Sequence, residues 1–371
     1  MRIGIDCRLA GRSHAGIGRY TAELIKHLVA LHTNSKSQIT FVLFVTSKTQ
    51  AQELLIKSPD FIEWVVTPVR HYSLKEQLIM PQVFAKQKLD LLHIPHFNLP
   101  LLYFGKVVLT IHDLLWHYQR GGGATTLPTW LYYFKYGFYR LTVARAVNKA
   151  SAIIVPSNKV AKEVNNFYPH ISSKIHVIGE GVSIFKSNKK KPSLTLPKAF
   201  ILYVGSLYPH KNIRLILRAL KLSPKLHLVI VTARSNFSLE VQKQIGLMKI
   251  KSRVRFLFNQ SDSQLASVYS RAVALIQPSF SEGFGLTGLE AMACSTPVLA
   301  SDISVFREVY GDAALFFDPL QPNSLLEALK ILPQKSLQLV KNGAKRSKQY
   351  SWSHMAKQIY DLYQSLDKNL N

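Results

Sequence analysis

With 371 residues the chain is long for a single domain and natural for two of about 180 each. Hydrophobic residues make up 47% and charged residues 18%, which excludes a disordered chain and fits a globular α/β protein. The net charge is +26, but residues 1–184 hold 21 Lys+Arg and 10 Asp+Glu against 26 and 11 in 185–371, so the excess is spread over both halves; this suits an anionic surface or plain solvation and argues against a nucleic-acid groove, which would gather its cations along one element.

The chain opens on MRIGIDC, read as a first strand with no signal-peptide core or cleavage site, and no apolar run nears the ~20 residues that span a bilayer. The expected location is the cytoplasm, at the inner face of the plasma membrane. Cys7 and Cys294 are the 2 cysteines, so a disulfide framework is excluded and reduced thiols are expected. After the strand Arg2–Cys7, the glycine-bearing loop Gly11–Gly18 leads into an amphipathic helix from about Gly18 to Leu31, with Tyr20, Leu24, Leu28 and Leu31 on one face. A dinucleotide fingerprint is cut short, since Thr21 stands where the third glycine belongs and the next strand, Ile39–Val45, ends in Thr46-Ser47 in place of a ribose-binding acid. Asp90–Ile94 and Lys106–Ile111 read as buried strands whose ends carry His93, His96 and His112 along one rim. These histidines lack a third ligand at metal spacing, and a histidine satisfied at a strand end is the plain alternative. Next, Gly121–Gly123 interrupts all periodicity, and an aromatic helix follows from Trp130, studded with Lys135, Arg140 and Arg145. Its rings either lie in a membrane interface or belong to the core. Ser151–Pro156 and Lys174–Ile178 close this half.

Phe185–Pro197, with three consecutive lysines and two prolines, reads as a linker. The second half repeats the logic. Ala199–Val204 is a strand, Gly205–Pro209 a turn, and His210-Lys211-Asn212 is expected to open a helix, placing Lys211 where a cation meets a diphosphate; an ordinary exposed lysine is the alternative. Leu226–Val231, Arg253–Leu257, Val273–Gln277, Pro297–Ala300 and Ala314–Phe317 supply further strands, and Ser351-Trp352 begins a last helix.

The most informative stretch is Val273–Ser301. A buried strand runs into Glu282, Gly283, Phe284 and Gly285, and a helix Leu286–Ala293 starts at once, so its unpaired N–H groups and dipole form an anion site at the loop. Glu282 and Glu290 flank that site. A carboxylate accepts paired hydrogen bonds from vicinal hydroxyls, so two of them around a phosphate suit a nucleotide sugar. Two glutamates at this spacing also arise by chance; their place at the carboxyl end of a parallel strand gives them meaning.

Together GIDCR, GIGRY, LHIPHFNLP, TIHDL, AIIVPS, GEGVS, YVGSLYPHKN and SEGFGLTGLEAMA with PVLAS resemble the retaining glycosyltransferases of family 4, which have the GT-B fold and a Glu-x7-Glu signature. The resemblance spans nearly the whole chain. It implies an α/β fold of two Rossmann-like domains facing a cleft: residues 1–184 for the acceptor, a linker 185–198, residues 199–352 for the nucleotide sugar, and a C-terminal helix 353–371 crossing back to the first domain. Glu282, His112 and Lys211 are then the catalytic candidates. Gly16, Gly18, Ser206, Lys211, Gly283, Phe284, Gly285, Leu286, Thr287 and Glu290 are the donor-binding ones, and His96, Asn98 and Arg19 lie on the acceptor side. His112 takes a donor-sugar contact. No cofactor or metal is expected, because Lys211, the helix start at Leu286 and the Gly16–Gly18 loop can meet the phosphate charge themselves. The expected donor is a nucleotide-diphosphate sugar, GDP-mannose above others; the acceptor is a glycan or lipid-linked glycan in cell-surface polysaccharide synthesis, with an anionic membrane as a peripheral partner and no nucleic acid. Departures from the family pattern at Ser206, His210, Thr232, Thr287 and Ser295 bear on how tightly the donor is held. A catalytically silent binding protein of the same fold is the alternative.

Overall fold

The computed structural model describes residues 1–11, 15–35, 37–118, 128–183 and 195–368. Two compact units emerge, Met1–Gly181 with Trp352–Asn371, and Val182–Ser351. The expected glycine-rich stretch 119–126 and the expected linker from 185 to 194 lie outside the described residues.

Unit 1 runs β1 (Arg2–Asp6), α1 (Ala15–Thr33), β2 (Thr40–Val45), α2 (Lys48–Leu54), β3 (Ile62–Val66), α3 (Leu74–Lys86), β4 (Leu91–Ile94), β5 (Val107–Thr110), α4 (Leu115–Tyr118), α5 (Thr129–Lys149), β6 (Ala152–Val155), α6 (Asn158–Phe167) and β7 (Ile175–Val177). Its strands form a parallel sheet in the order β3-β2-β1-β4-β5-β6-β7. Strands such as VVLT and AIIV are buried at every position, as a parallel sheet covered on both faces requires. The chain direction across the sheet reverses between β1 and β4, the switch point where such sheets open a ligand crevice at the strands' carboxyl ends.

Unit 2 runs β8 (Ile201–Val204), α7 (Ile213–Leu222), β9 (Leu228–Thr232), α8 (Asn236–Leu247), β10 (Val254–Phe258), α9 (Asp262–Arg271), β11 (Ala274–Gln277), α10 (Leu286–Ala293), β12 (Val298–Ser301), α11 (Ser304–Tyr310), β13 (Ala314–Phe317) and α12 (Pro322–Ser347). The order β10-β9-β8-β11-β12-β13 repeats the winding of unit 1 and sets its switch point between β8 and β11. Side chains alternate between two cores: Leu202, Val229, Val231 and Leu275 pack with α10 residues Leu289 and Met292, while Ile201, Tyr203, Ile230 and Ile276 pack with Ile216 and Leu220 of α7.

The last helix, α13 (Trp352–Lys368), belongs to unit 1. Its Tyr360 hydroxyl meets His32 Nδ1 at 3.0 Å and Ser35 Oγ at 3.1 Å, and its Tyr363 hydroxyl meets His93 Nδ1 at 2.5 Å. Two elements differ from expectation at the outset. α1 begins at Ala15, so Gly16 and Gly18 lie in a helical turn where a loop was expected, and the helix expected at His210 begins at Ile213 after a short 3₁₀ turn, Pro209–Lys211.

Candidate active site

In unit 2 the chain leaves β8 and β11 side by side, and the two exits are tied together. Phe280 N donates to His210 O at 2.8 Å, and the Asn212 side-chain amide donates to Pro278 O at 3.0 Å and Pro319 O at 2.8 Å. Asn212 holds a left-handed backbone, φ 53°, which a non-glycine residue adopts most easily when it is Asn or Asp. That geometry turns Lys211 toward the β11 exit. Its Nζ donates to Glu282 Oε2 at 2.6 Å, while Ser279 Oγ donates to Glu282 Oε1 at 2.8 Å. Burial pushes the Glu282 carboxyl up, but Lys211, Ser279 and His210 together hold it below the usual carboxylate range. The two residues expected to meet different parts of a ligand are thus each other's partners in this structure.

Helix α10 starts on Gly285, whose φ of +103° lies in the left-handed region. The Tyr310 hydroxyl lies 2.5 Å from both Gly285 O and Gln277 Oε1, its one hydrogen shared between the two acceptors, and Gln277 Nε2 donates on to Thr287 Oγ1 at 2.8 Å. A Cβ on Gly285 or Gly288 would stand 2.3 Å from that hydroxyl, so both glycines are required by the tyrosine strut behind the loop. Tyr310, Gln277 and Gly288 were not singled out from sequence. Phe284 is buried edge-on against Tyr350, at a ring distance of 5.3 Å, and belongs to the core. Glu290 is 2% exposed and accepts from the Tyr269 hydroxyl at 3.0 Å. Burial, with Glu290 alongside, pushes the Cys294 thiol up to about 12. Ser206 contributes its carbonyl oxygen, which accepts from the Tyr203 hydroxyl at 2.5 Å. Leu286 is half-buried in the first turn of α10, and Gly283 lies beside Glu282.

The candidates in unit 1 fare differently. Gly18 is packed: a Cβ there would stand 2.1 Å from Gly11 O, and Gly18 O accepts from Gly11 N at 3.1 Å, whereas Gly16 is exposed and a Cβ on it would meet no atom of the described residues within 4 Å. Arg19 follows, half-buried. His96 and Asn98, expected on the acceptor side, are both buried in this structure. Asn98 Nδ2 donates to Glu76 Oε2 at 2.6 Å and His96 Nδ1 meets the Tyr72 hydroxyl at 3.0 Å, so their polar atoms are turned inward. His93 is likewise fully buried, not on a rim; burial and the nearby His112 push its imidazole down to about 3. His112 lies just past β5, with Nδ1 3.0 Å from Glu180 Oε1 and Nε2 3.2 Å from Pro95 O. Glu180 was not anticipated from sequence. Behind these residues Arg8 joins two buried carboxylates, Asp6 at 2.6 Å and Glu76 at 2.8 Å.

Among the described residues no group of three or more His, Cys, Asp or Glu side chains is placed to hold a metal ion. An open depression of about 420 Å³ at the ends of β12 and β13 is lined by Asp302, Phe316, Phe317, Asp318, Pro319 and Ser324, none of them a candidate from sequence. Asp302 there is already paired with Arg307 through two bonds of 2.7 Å.

Two sequence families match in tandem: Glycosyltransferase Family 4 over residues 14–184, and Glycosyl transferases group 1 over residues 185–350. The chain is 31% identical over 242 residues to the O-antigen chain mannosyltransferase RfbU of Salmonella typhimurium, a match that spans 64% of each protein. It is 25% identical to the O-antigen chain mannosyltransferase B of Escherichia coli over an alignment covering 95% of this chain and 96% of that one. Among solved structures, sucrose-phosphate synthase from Thermosynechococcus elongatus superposes with a TM-score of 0.78 at 21% identity, covering 100% of both chains. The Anabaena protein HepE, solved with UDP and glucose, gives 0.72 at 19%, covering 98% of this chain and 99% of that one. At such identities the structural likeness speaks to the fold, two Rossmann-like parallel-sheet domains of the GT-B kind.

Proposed function

This chain belongs to the glycosyltransferases of family 4, and from that membership we propose that it transfers mannose from GDP-mannose, with retention, to a glycan or lipid-linked acceptor in the synthesis of a cell-surface polysaccharide. The donor is assigned to unit 2 and the acceptor to unit 1. The observation that carries the reading is the Lys211–Glu282 pair at the β8/β11 switch point, beside the amino end of α10. The two mannosyltransferase names among the relatives support the choice of sugar.

As the sugar–diphosphate bond breaks, positive charge develops at the anomeric carbon and negative charge on the departing phosphate. Lys211 and the helix start meet the latter by fixed electrostatics, which is why no divalent ion is required in this reading. Glu282 accepts from hydroxyls of the transferred sugar, Glu290 from the ribose, and His112 is assigned to the transferred sugar. The leaving phosphate itself serves as the base. Transfer of radiolabelled mannose from GDP-mannose to a lipid-linked acceptor tests the proposal, and absence of transfer from any nucleotide sugar contradicts it.

The site of action we assign is a membrane surface contacted by α5. No helix among the described residues is long and apolar enough to cross a membrane. The first half of α5 nonetheless leaves Trp130 73% and Phe134 71% exposed beside the exposed Lys135, while its second half buries Val143 and Val147. The exposed rings thus lie in the first half of the helix. Exposed rings and a cation suit the headgroup region of an anionic bilayer. Replacing Trp130 and Phe134 by Ser and Lys135 by Gln is expected to abolish pelleting with phosphatidylglycerol vesicles and leave nucleotide binding unchanged; undiminished pelleting would remove α5 from the interface.

A further inference from the structure

Three histidines stand at the carboxyl ends of β4 and β5, and their partners differ in kind. His93 meets the hydroxyls of Tyr363 and Thr110, at 2.5 and 2.9 Å, and His96 meets the Tyr72 hydroxyl at 3.0 Å. A hydroxyl donates or accepts as needed, so it satisfies a neutral imidazole whichever nitrogen carries the proton. Burial pushes both of these rings far below the usual histidine range, with His112 adding to the effect. His112 has no such freedom. Its Nδ1 faces a carboxylate oxygen of Glu180 at 3.0 Å and its Nε2 faces the carbonyl oxygen of Pro95 at 3.2 Å, and neither oxygen has a hydrogen to offer while Glu180 is ionised. A neutral ring has one N–H and would leave a nitrogen lone pair against an oxygen lone pair. A ring with both protons satisfies both contacts and forms an ion pair with Glu180, whose side chain is 9% exposed against 12% for His112.

The ring is also held from below. The Tyr20 ring packs edge-on against it at 4.7 Å, and the Tyr20 hydroxyl bonds to Thr110 Oγ1 at 3.1 Å, the same oxygen that meets His93. One imidazole thus ties the chain exits of β4, β5 and β7, through Pro95, His112 itself and Glu180.

We propose that Glu180 is a positioning residue for the transfer reaction: it keeps His112 doubly protonated and immobile at the carboxyl end of β5. This rests on the assignment of His112 to the transferred sugar. It also assigns the histidine a definite kind of role. A ring whose two N–H groups are both committed has no free nitrogen to take up a proton, so His112, its charge balanced by Glu180, acts as a fixed backbone at the strand end and not as a general base.

The test is long-range ¹H–¹⁵N NMR of the histidine side chains at pH 7.5, with the His112 signals identified by their loss in His112→Gln, together with single-turnover transfer. Wild-type His112 is expected to show two protonated nitrogens, and Glu180→Gln one protonated and one bare. Transfer by Glu180→Gln should fall roughly tenfold or more, since a misplaced group at a reacting centre is costly, with the donor KM little changed. Glu180→Asp, which keeps the carboxylate, should retain both the two-proton signature and most of the rate. A bare nitrogen on wild-type His112 overturns the ion pair, and this result does not depend on whether Glu180→Gln folds. A wild-type rate in a folded Glu180→Gln overturns the positioning role. Absence of transfer in the wild type itself contradicts the proposed function and that role with it, while the NMR spectrum decides the ion pair separately.

Discussion

Replacing Glu282 by Gln is expected to slow sugar transfer by about a hundredfold or more while leaving nucleoside diphosphate affinity unchanged or slightly increased. The first part follows from the role assigned to this carboxylate, whose contact with the sugar hydroxyls strengthens as charge develops on the ring. The second follows from the structure. Lys211 gives a hydrogen to Glu282 at 2.6 Å, and a neutral amide there releases the lysine from a charge-assisted bond worth roughly 1.5–3 kcal/mol, so more of its charge is offered to a diphosphate. Glu290→Gln should behave in the opposite way. If Glu290 holds the ribose, diphosphate affinity weakens by an amount on the order of one such bond, roughly 1.5–3 kcal/mol. Calorimetry with the nucleoside diphosphate and single-turnover transfer on both variants separate the two. Equal loss of diphosphate affinity in both would mean that Glu282 orders the loop before α10 and never touches the sugar.

Replacing Arg8 by Met is expected to destabilise unit 1 by ~3–5 kcal/mol, because it strands two buried carboxylates. Asp6 and Glu76 have side chains 1% and 0% exposed, and both are bonded to Arg8 Nη2. Asn98, the Tyr72 backbone N–H and His71 also meet Glu76, so the arginine stands at the centre of a network that fixes the β1 exit against α3. Burial pushes both carboxyls up, and Arg8 with His71 more than reverses this, leaving both below their usual range. Groups depressed in the folded state contribute stability above the unfolded values, ~3.9 and ~4.3, and lose it as the pH falls through the lower native ones. The gap between wild type and variant should therefore narrow on acidification. All 4 tryptophans, Trp64, Trp116, Trp130 and Trp352, belong to unit 1, so selectively excited tryptophan fluorescence in chemical denaturation reports on this unit. A variant within ~1 kcal/mol of wild type at pH 7 would show that the network contributes little.

The stretch around α10 was legible because every local signal agreed there. An apolar strand, glycines at a turn and a helix rich in Leu, Ala and Met fix Leu286–Ala293 at the observed bounds. β3 and α3 escaped notice for opposite reasons. IEWVV is an edge strand with one fully buried residue, and α3 carries Pro81 inside its span. Gly16 and Gly18 read as loop residues, yet Gly18 is a helical glycine chosen for the close approach of Gly11. The unanticipated partners share a cause: Arg8 with Glu76 and His112 with Glu180 each join residues 68 apart, and no local spacing connects them before the fold brings the β1 exit to α3 and the β5 exit to the β7 exit. His96, read at a strand end, and Asn98 both lie just past β4. Their inward turn depends on Glu76 and Tyr72, from a loop and helix that the pattern did not reveal.

The measurement that bears most directly on the proposed reaction is transfer of radiolabelled mannose from GDP-mannose to a lipid-linked glycan acceptor in the presence of excess EDTA, with the anomeric configuration of the product determined. Undiminished transfer with retained configuration is the expected result. Tight GDP binding without transfer would instead describe a silent binding protein of this fold, and a hundredfold loss of rate restored by Mn²⁺ would contradict the assignment of the phosphate charge to Lys211 and the start of α10.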